Sequence, residues 1–141
     1  MRLIHMLATI GVLISVGITI VWAEEPSQPG PPVVLSVAED GVQRATVTLD
    51  SYSYSPNHLI VAAGKPVELK LTSVTTMIPH NFILKDPAGR LSVEQDVGAG
   101  KTVTIMFTPT QPGMFPIYCD KRLWPFSSHR DKGMEGTLEV R

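Results

Sequence analysis

The sequence predicts an all-β fold, a Greek-key β-sandwich preceded by an N-terminal signal or anchor helix. Three observations lead there. From Val33 onward the apolar residues recur with period two, not 3.6. Clusters of glycine, proline, asparagine and aspartate interrupt that pattern at short intervals. Past the N-terminal segment, no stretch of ordinary helix length shows a periodic apolar stripe.

The elements follow in chain order. In Thr46–Leu49, apolar and hydroxyl residues alternate. Val67, Leu69 and Leu71 alternate with Glu68, Lys70 and Thr72, and Val103, Ile105 and Phe107 alternate with Thr102, Thr104 and Thr108. Leu138 and Val140 alternate with Thr137, Glu139 and Arg141. Each such segment has one wet and one buried face, as in an antiparallel sheet. Turns are expected at 39–41, 55–57, 63–66, 86–89, 98–100 and 111–113. Residues 121–128 have room for a short helical turn. Met77, Met106 and Met114 are expected to serve as packing residues.

The length of 141 residues suits one domain, and 43% hydrophobic residues can supply its core. Twelve Lys+Arg against thirteen Asp+Glu leave no basic surplus, which argues against a nucleic-acid binder. Residues 1–23 resemble an export signal: Arg2, an apolar run from Leu3 to Trp22, then Val21-Trp22-Ala23 before the polar Glu24-Glu25-Pro26. The run is long enough that it is either cleaved after Ala23 or kept as a membrane anchor. Both outcomes place the remainder outside the cytoplasm, in the periplasm or an equivalent compartment. Residues 24–32 (EEPSQPGPP) are a proline-rich linker, and residues 33–141 form the folded domain.

Cys119 is the single cysteine. In an oxidising compartment it cannot form an internal disulfide. It is therefore inert and buried, bonded to another chain, or committed to a metal. Three further donors sit in the second half of the chain. His80 lies in Ile78-Pro79-His80-Asn81-Phe82, and Cys119 ends the apolar strand Met114–Tyr118. His129 follows after nine residues and Met134 after four more. Taken singly, each is most simply an ordinary packing or surface residue. Taken together, they put one histidine before a strand pair and a Cys, a His and a Met on one strand–loop–strand connection. Two imidazoles, a thiolate and a weak axial thioether make up the donor set of a type 1 copper site. Structural zinc prefers thiolate, imidazole and carboxylate. His58 reads as a surface residue and His5 belongs to the signal.

At these residues the chain resembles the cupredoxins, a family that includes plastocyanin, azurin and amicyanin. The resemblance covers about residues 45–141. It rests on Ser53–Val61 with Gly64, on Pro79-His80-Asn81, on Gly113–Cys119, and on His129–Leu138. It implies that His80, Cys119, His129 and Met134 bind one copper ion. It also implies that the backbone N–H of Asn81 points at the Cys119 sulfur. The Asn81 side chain would then tie two ligand loops together, unless Asn81 is an ordinary turn residue. The nine-residue loop between Cys119 and His129 is longer than usual in the family, and resembles the loops of certain periplasmic, sometimes green, members linked to copper tolerance. Within it, Trp124 and Phe126 either extend an apolar docking patch around His129 or tuck inward as a lid. Lys121, Arg122, Arg130 and Lys132 would steer an acidic partner.

The resemblance implies a monomeric single-electron carrier cycling Cu(I)/Cu(II) with a redox partner such as a cytochrome or an oxidase. The alternative is a copper-binding protein for tolerance or delivery. An enzyme is not expected: multicopper oxidases and nitrite reductases add histidine clusters across further domains, and this chain has four histidines. A dinuclear copper site would need two cysteines.

Overall fold

A computed structural model describes residues 30–141. The expected signal or anchor and most of the expected linker lie outside these residues. Among the described residues no helix is long and apolar enough to cross a membrane.

The strands are β1 (Val33–Val34), β2 (Gln43–Asp50), β3 (Ser53–Ser55), β4 (His58–Val61), β5 (Val67–Ser73), β6 (His80–Lys85), β7 (Ser92–Val97), β8 (Thr102–Phe107), β9 (Gly113–Tyr118) and β10 (Glu135–Val140). They form a six-stranded sheet ordered β1-β4-β10-β9-β6-β7 and a four-stranded sheet ordered β3-β2-β5-β8. Val47, Leu49, Leu69 and Leu71 from the smaller sheet meet Leu59, Phe82, Leu84 and Leu138 from the larger in one buried core. Each fully buried leucine there contributes about 2–3 kcal/mol of apolar burial.

Both sheets are mixed, although period-two alternation had suggested antiparallel pairing. β4 runs parallel to β1 and β10, and β2 runs parallel to β5. Alternation records which face is buried, and that is the same for either direction of the neighbour. The stretch Ser53–Val61 is divided by the expected turn at 55–57. β3 belongs to the small sheet and β4 to the large one, and Pro56 between them has no N–H with which to continue a ladder. β6 shows no alternation because five of its six residues are buried, on both faces.

Two other expectations are corrected. Met77, Met106 and Met114 are exposed rather than packed, at 86%, 61% and 67%. The helical turn falls not at 121–128 but just after His129, as a 3-10 turn over Arg130–Lys132.

Register decides where the candidate donors meet. β9 pairs antiparallel with both β6 (Ile83 opposite Tyr118) and β10 (Glu135 opposite Tyr118). The end of β9 therefore lies beside the starts of β6 and β10. Cys119 follows the first, His80 opens the second and Met134 immediately precedes the third. At Gly136 the backbone of β10 passes so close to Asn57 that a Cβ would stand 2.5 Å from the Asn57 carbonyl oxygen.

Candidate metal centre

The side-chain donor atoms of His80, Cys119 and His129 lie within 4.8 Å of one another, and all three residues are buried. The two imidazole centroids are 5.1 Å apart, and His129 Nδ1 is 3.4 Å from Cys119 Sγ. Met134 is fully buried in the same core cluster. Its backbone closes the loop: the Cys119 N–H donates to the Met134 carbonyl (3.2 Å), and the Met134 N–H donates to the His129 carbonyl (3.0 Å).

The proton count around His80 is informative. The Thr75 hydroxyl has one proton and gives it to the Ile78 carbonyl at 2.6 Å. Toward His80 Nε2, 3.3 Å away, Thr75 Oγ1 must therefore accept. That places the ring proton on Nε2 and leaves a bare lone pair on Nδ1. His80 Nδ1 is also the single buried side-chain nitrogen or oxygen among the described residues that has no hydrogen-bond partner. Burial, with a smaller contribution from His129, pushes the His80 pKa down to about 4, so the ring is neutral near pH 7. His129 is shifted down as well, first by burial and then by Lys132 and Lys121.

Burial pushes the Cys119 thiol up, while backbone N–H groups of Asn81 and Lys121 favour the thiolate. The Asn81 N–H stands 3.4 Å from Sγ. The Asn81 side chain spans the two loops, donating to Asp120 Oδ1 at 2.8 Å and accepting from the Asp120 N–H at 3.1 Å. It is thus a tie and not an ordinary turn residue. Two soft-to-borderline imidazoles, one sulfur and an unpartnered buried lone pair fit a copper ion.

Sequence reasoning missed two tyrosines on the β2–β3 hairpin. Tyr54 is buried and donates through its hydroxyl to the Asn81 carbonyl at 2.6 Å. The Tyr52 ring meets His129 edge-on at 5.1 Å between centroids. No metal-ligand residue type marks either one, and both act from the opposite sheet. His58 is not among the three convergent donors; it is half-buried, with Nε2 3.2 Å from Glu139 Oε2. Trp124 (84%) and Phe126 (61%) are exposed, so these two side chains do not tuck inward as a lid. Leu123 and Phe126 instead help line a cavity of about 490 Å³ that reaches His129.

Several solved structures share the fold. The metal-binding domain of the Streptococcus pneumoniae Cu(I)-exporting P-type ATPase CopA, with Cu(I), is 22% identical. It aligns with a TM-score of 0.60 over 79% of this chain and 96% of its own. Reduced auracyanin from Roseiflexus castenholzii is 18% identical, with a TM-score of 0.57 over 70% of this chain and 96% of its own. Auracyanin A of Chloroflexus aurantiacus, a blue copper protein, is 20% identical, with a TM-score of 0.53 over 70% and 99%. At these identities the likeness is one of fold. No curated protein matches the sequence. The family model for the cupredoxin-like domain matches residues 12–138, nearly the whole chain. The resemblance first seen in the ligand segments thus extends through the sandwich that mounts them, and the chain belongs to the cupredoxin-like domain family.

Proposed function

We propose that this chain is an exported copper protein that holds one copper ion through His80, Cys119, His129 and Met134 and passes single electrons to and from a redox partner. The bare, buried Nδ1 of His80 beside a cysteine sulfur and a second imidazole supports this reading most directly. Such a lone pair is costly to bury unless something accepts it. Bound copper would supply a Cu(I)/Cu(II) couple to which this mixed soft and borderline donor set is suited in both states.

The chain's own residues keep that set rigid. Thr75 fixes the His80 tautomer, Asn81 directs an N–H at the sulfur, and Tyr54 braces Asn81 from the other sheet. Nothing in this reading calls for turnover of a substrate. The exposed Leu123, Trp124 and Phe126 on the ligand loop suit contact with a partner protein.

A second reading, copper tolerance or delivery, is favoured by the likeness to a Cu(I) exporter's metal-binding domain and by the exposed thioether of Met77, three residues before His80. Thioethers are Cu(I) ligands.

Titration with Cu(II) should produce an intense visible thiolate-to-copper band that is absent from Cys119→Ser. An unchanged band in that variant would overturn the ligand assignment. Rapid electron exchange with a cytochrome would favour the carrier, and stoichiometric release of copper to an acceptor protein would favour delivery.

A further inference from the structure

The β2–β3 hairpin has a two-residue loop, Ser51-Tyr52, since Asp50 and Ser53 are paired across it. Tyr52 sits at φ 61, the one non-glycine residue at positive φ among the described residues. Glycine or asparagine is the inexpensive choice there, and a bulky aromatic is an outlier. Such a conformation persists where surrounding contacts over-determine it, and it tends to mark a functional position.

Those contacts run to the ligand loop. The Tyr52 ring meets His129 edge-on, with centroids 5.1 Å apart and planes at 73°. Lys132 Nζ stands 4.3 Å from the ring centroid and donates to the Tyr52 hydroxyl at 3.1 Å. Lys132 belongs to the 3-10 turn that follows His129, and its backbone N–H donates to the His129 carbonyl at 3.1 Å. One loop therefore contacts Tyr52 through both its histidine and its lysine. Tyr52 also lines the cavity that reaches His129 from solvent.

We propose that Tyr52 is a positioning residue: it clamps the His129 ring in the orientation that faces Cys119, and it controls the route by which copper leaves the centre. The part concerning copper rests on the functional reading above; the part concerning ring orientation does not. His129 belongs to a loop on the larger sheet, whereas Tyr52 is anchored in the smaller one. The Tyr52 ring therefore joins the ligand loop of one sheet to the hairpin of the other. Lys132 adds a cation over the ring face, which ties the clamp to the loop it restrains.

Three variants test this. Tyr52→Asn tolerates positive φ but removes the ring, Tyr52→Leu keeps apolar bulk against the core, and Tyr52→Phe keeps the ring without the hydroxyl. In the metal-free protein, the His129 ring proton should give one sharp resonance in wild type and Tyr52→Phe. It should be broadened or split in Tyr52→Asn and Tyr52→Leu, beyond the simple displacement that loss of the tyrosine's ring current produces. In the copper-loaded protein, transfer of Cu(I) to a chromogenic chelator should be at least tenfold faster in those two variants than in wild type. Wild-type rates together with a single His129 resonance as sharp as in wild type, in both variants, would overturn the clamp. If the wild-type chain takes up no copper at all, the functional reading fails instead, and the resonance still decides the orienting role.

Discussion

The backbone N–H of Asn81 points at the sulfur of Cys119 across 3.4 Å, although the two residues are 38 positions apart. The same asparagine exchanges two side-chain hydrogen bonds with Asp120, so one residue aims the sulfur's hydrogen bond and fastens the loop that bears the sulfur. Asn81→Ala removes both side-chain bonds and leaves the backbone donor in place. Each lost bond costs roughly 1 kcal/mol. The metal-free protein should therefore lose about 2 kcal/mol in urea unfolding, while the thiolate-to-copper band persists with a shifted maximum. Complete loss of the band would mean that the side chain, not the backbone N–H, is what the sulfur depends on.

Removing copper should destabilise the protein by mass action, because the three convergent donors exist together only in the folded state. At a free concentration one hundred times the dissociation constant, copper adds about 2.7 kcal/mol. Calorimetry of loaded and chelator-treated samples should show a higher Tm with copper. His80→Ala should abolish the difference. A Tm difference that survives in His80→Ala would place the copper elsewhere.

Met134→Leu replaces a fully buried thioether by a side chain of similar volume. Volume-conserving swaps of this kind usually cost less than about 1.5 kcal/mol. The variant should fold, retain copper and show a raised reduction potential by voltammetry, since an axial thioether tunes a type 1 centre more than it holds it. Loss of copper would rule out the axial role.

The metal-free protein should weaken in mild acid. Burial, then the neighbouring His129, depresses the His80 pKa to about 4, while Asp50 pulls in the opposite direction. In the unfolded chain the same ring titrates near 6.5. Between these values the unfolded state binds the extra proton, so the stability present above about pH 6.5 declines as pH falls toward 4. His80→Gln should flatten that descent in chemical denaturation measured across the range. An equally steep decline in the variant would assign the effect to other groups.

Gly136→Ala tests the packing of β10, two residues after Met134. The added methyl would stand 2.5 Å from the Asn57 carbonyl oxygen, which is backbone and cannot swing aside. That oxygen also accepts the Thr137 N–H at 2.7 Å. Displacing β10 there should cost about 1–3 kcal/mol, as overpacking typically does, and lower the Tm of the metal-free protein. An unchanged Tm would show that β4 and β10 have slack at this crossing.

The fold class was readable because period two in Val67–Leu71 and in Leu138–Val140 reports burial on one face, a property local to each segment. The donor types and their order were readable for the same reason: a lone cysteine, two histidines and a methionine keep their chemistry wherever the chain takes them. β6 left no alternation because both its faces are covered, and the parallel partners of β4 and β2 left none because pairing direction does not alter which side chains are wet.

By itself, then, the sequence determined a β-rich domain carrying one thiol, two imidazoles and a thioether suited to copper. Tertiary structure alone decided that the end of β9 meets the starts of β6 and β10 and that Thr75 leaves His80 Nδ1 bare. It likewise decided that Tyr52 and Tyr54 reach across from the other sheet. These outcomes depend on register and on contacts between residues distant in the chain, whose free energies are set by the packed whole and leave no mark on any single segment.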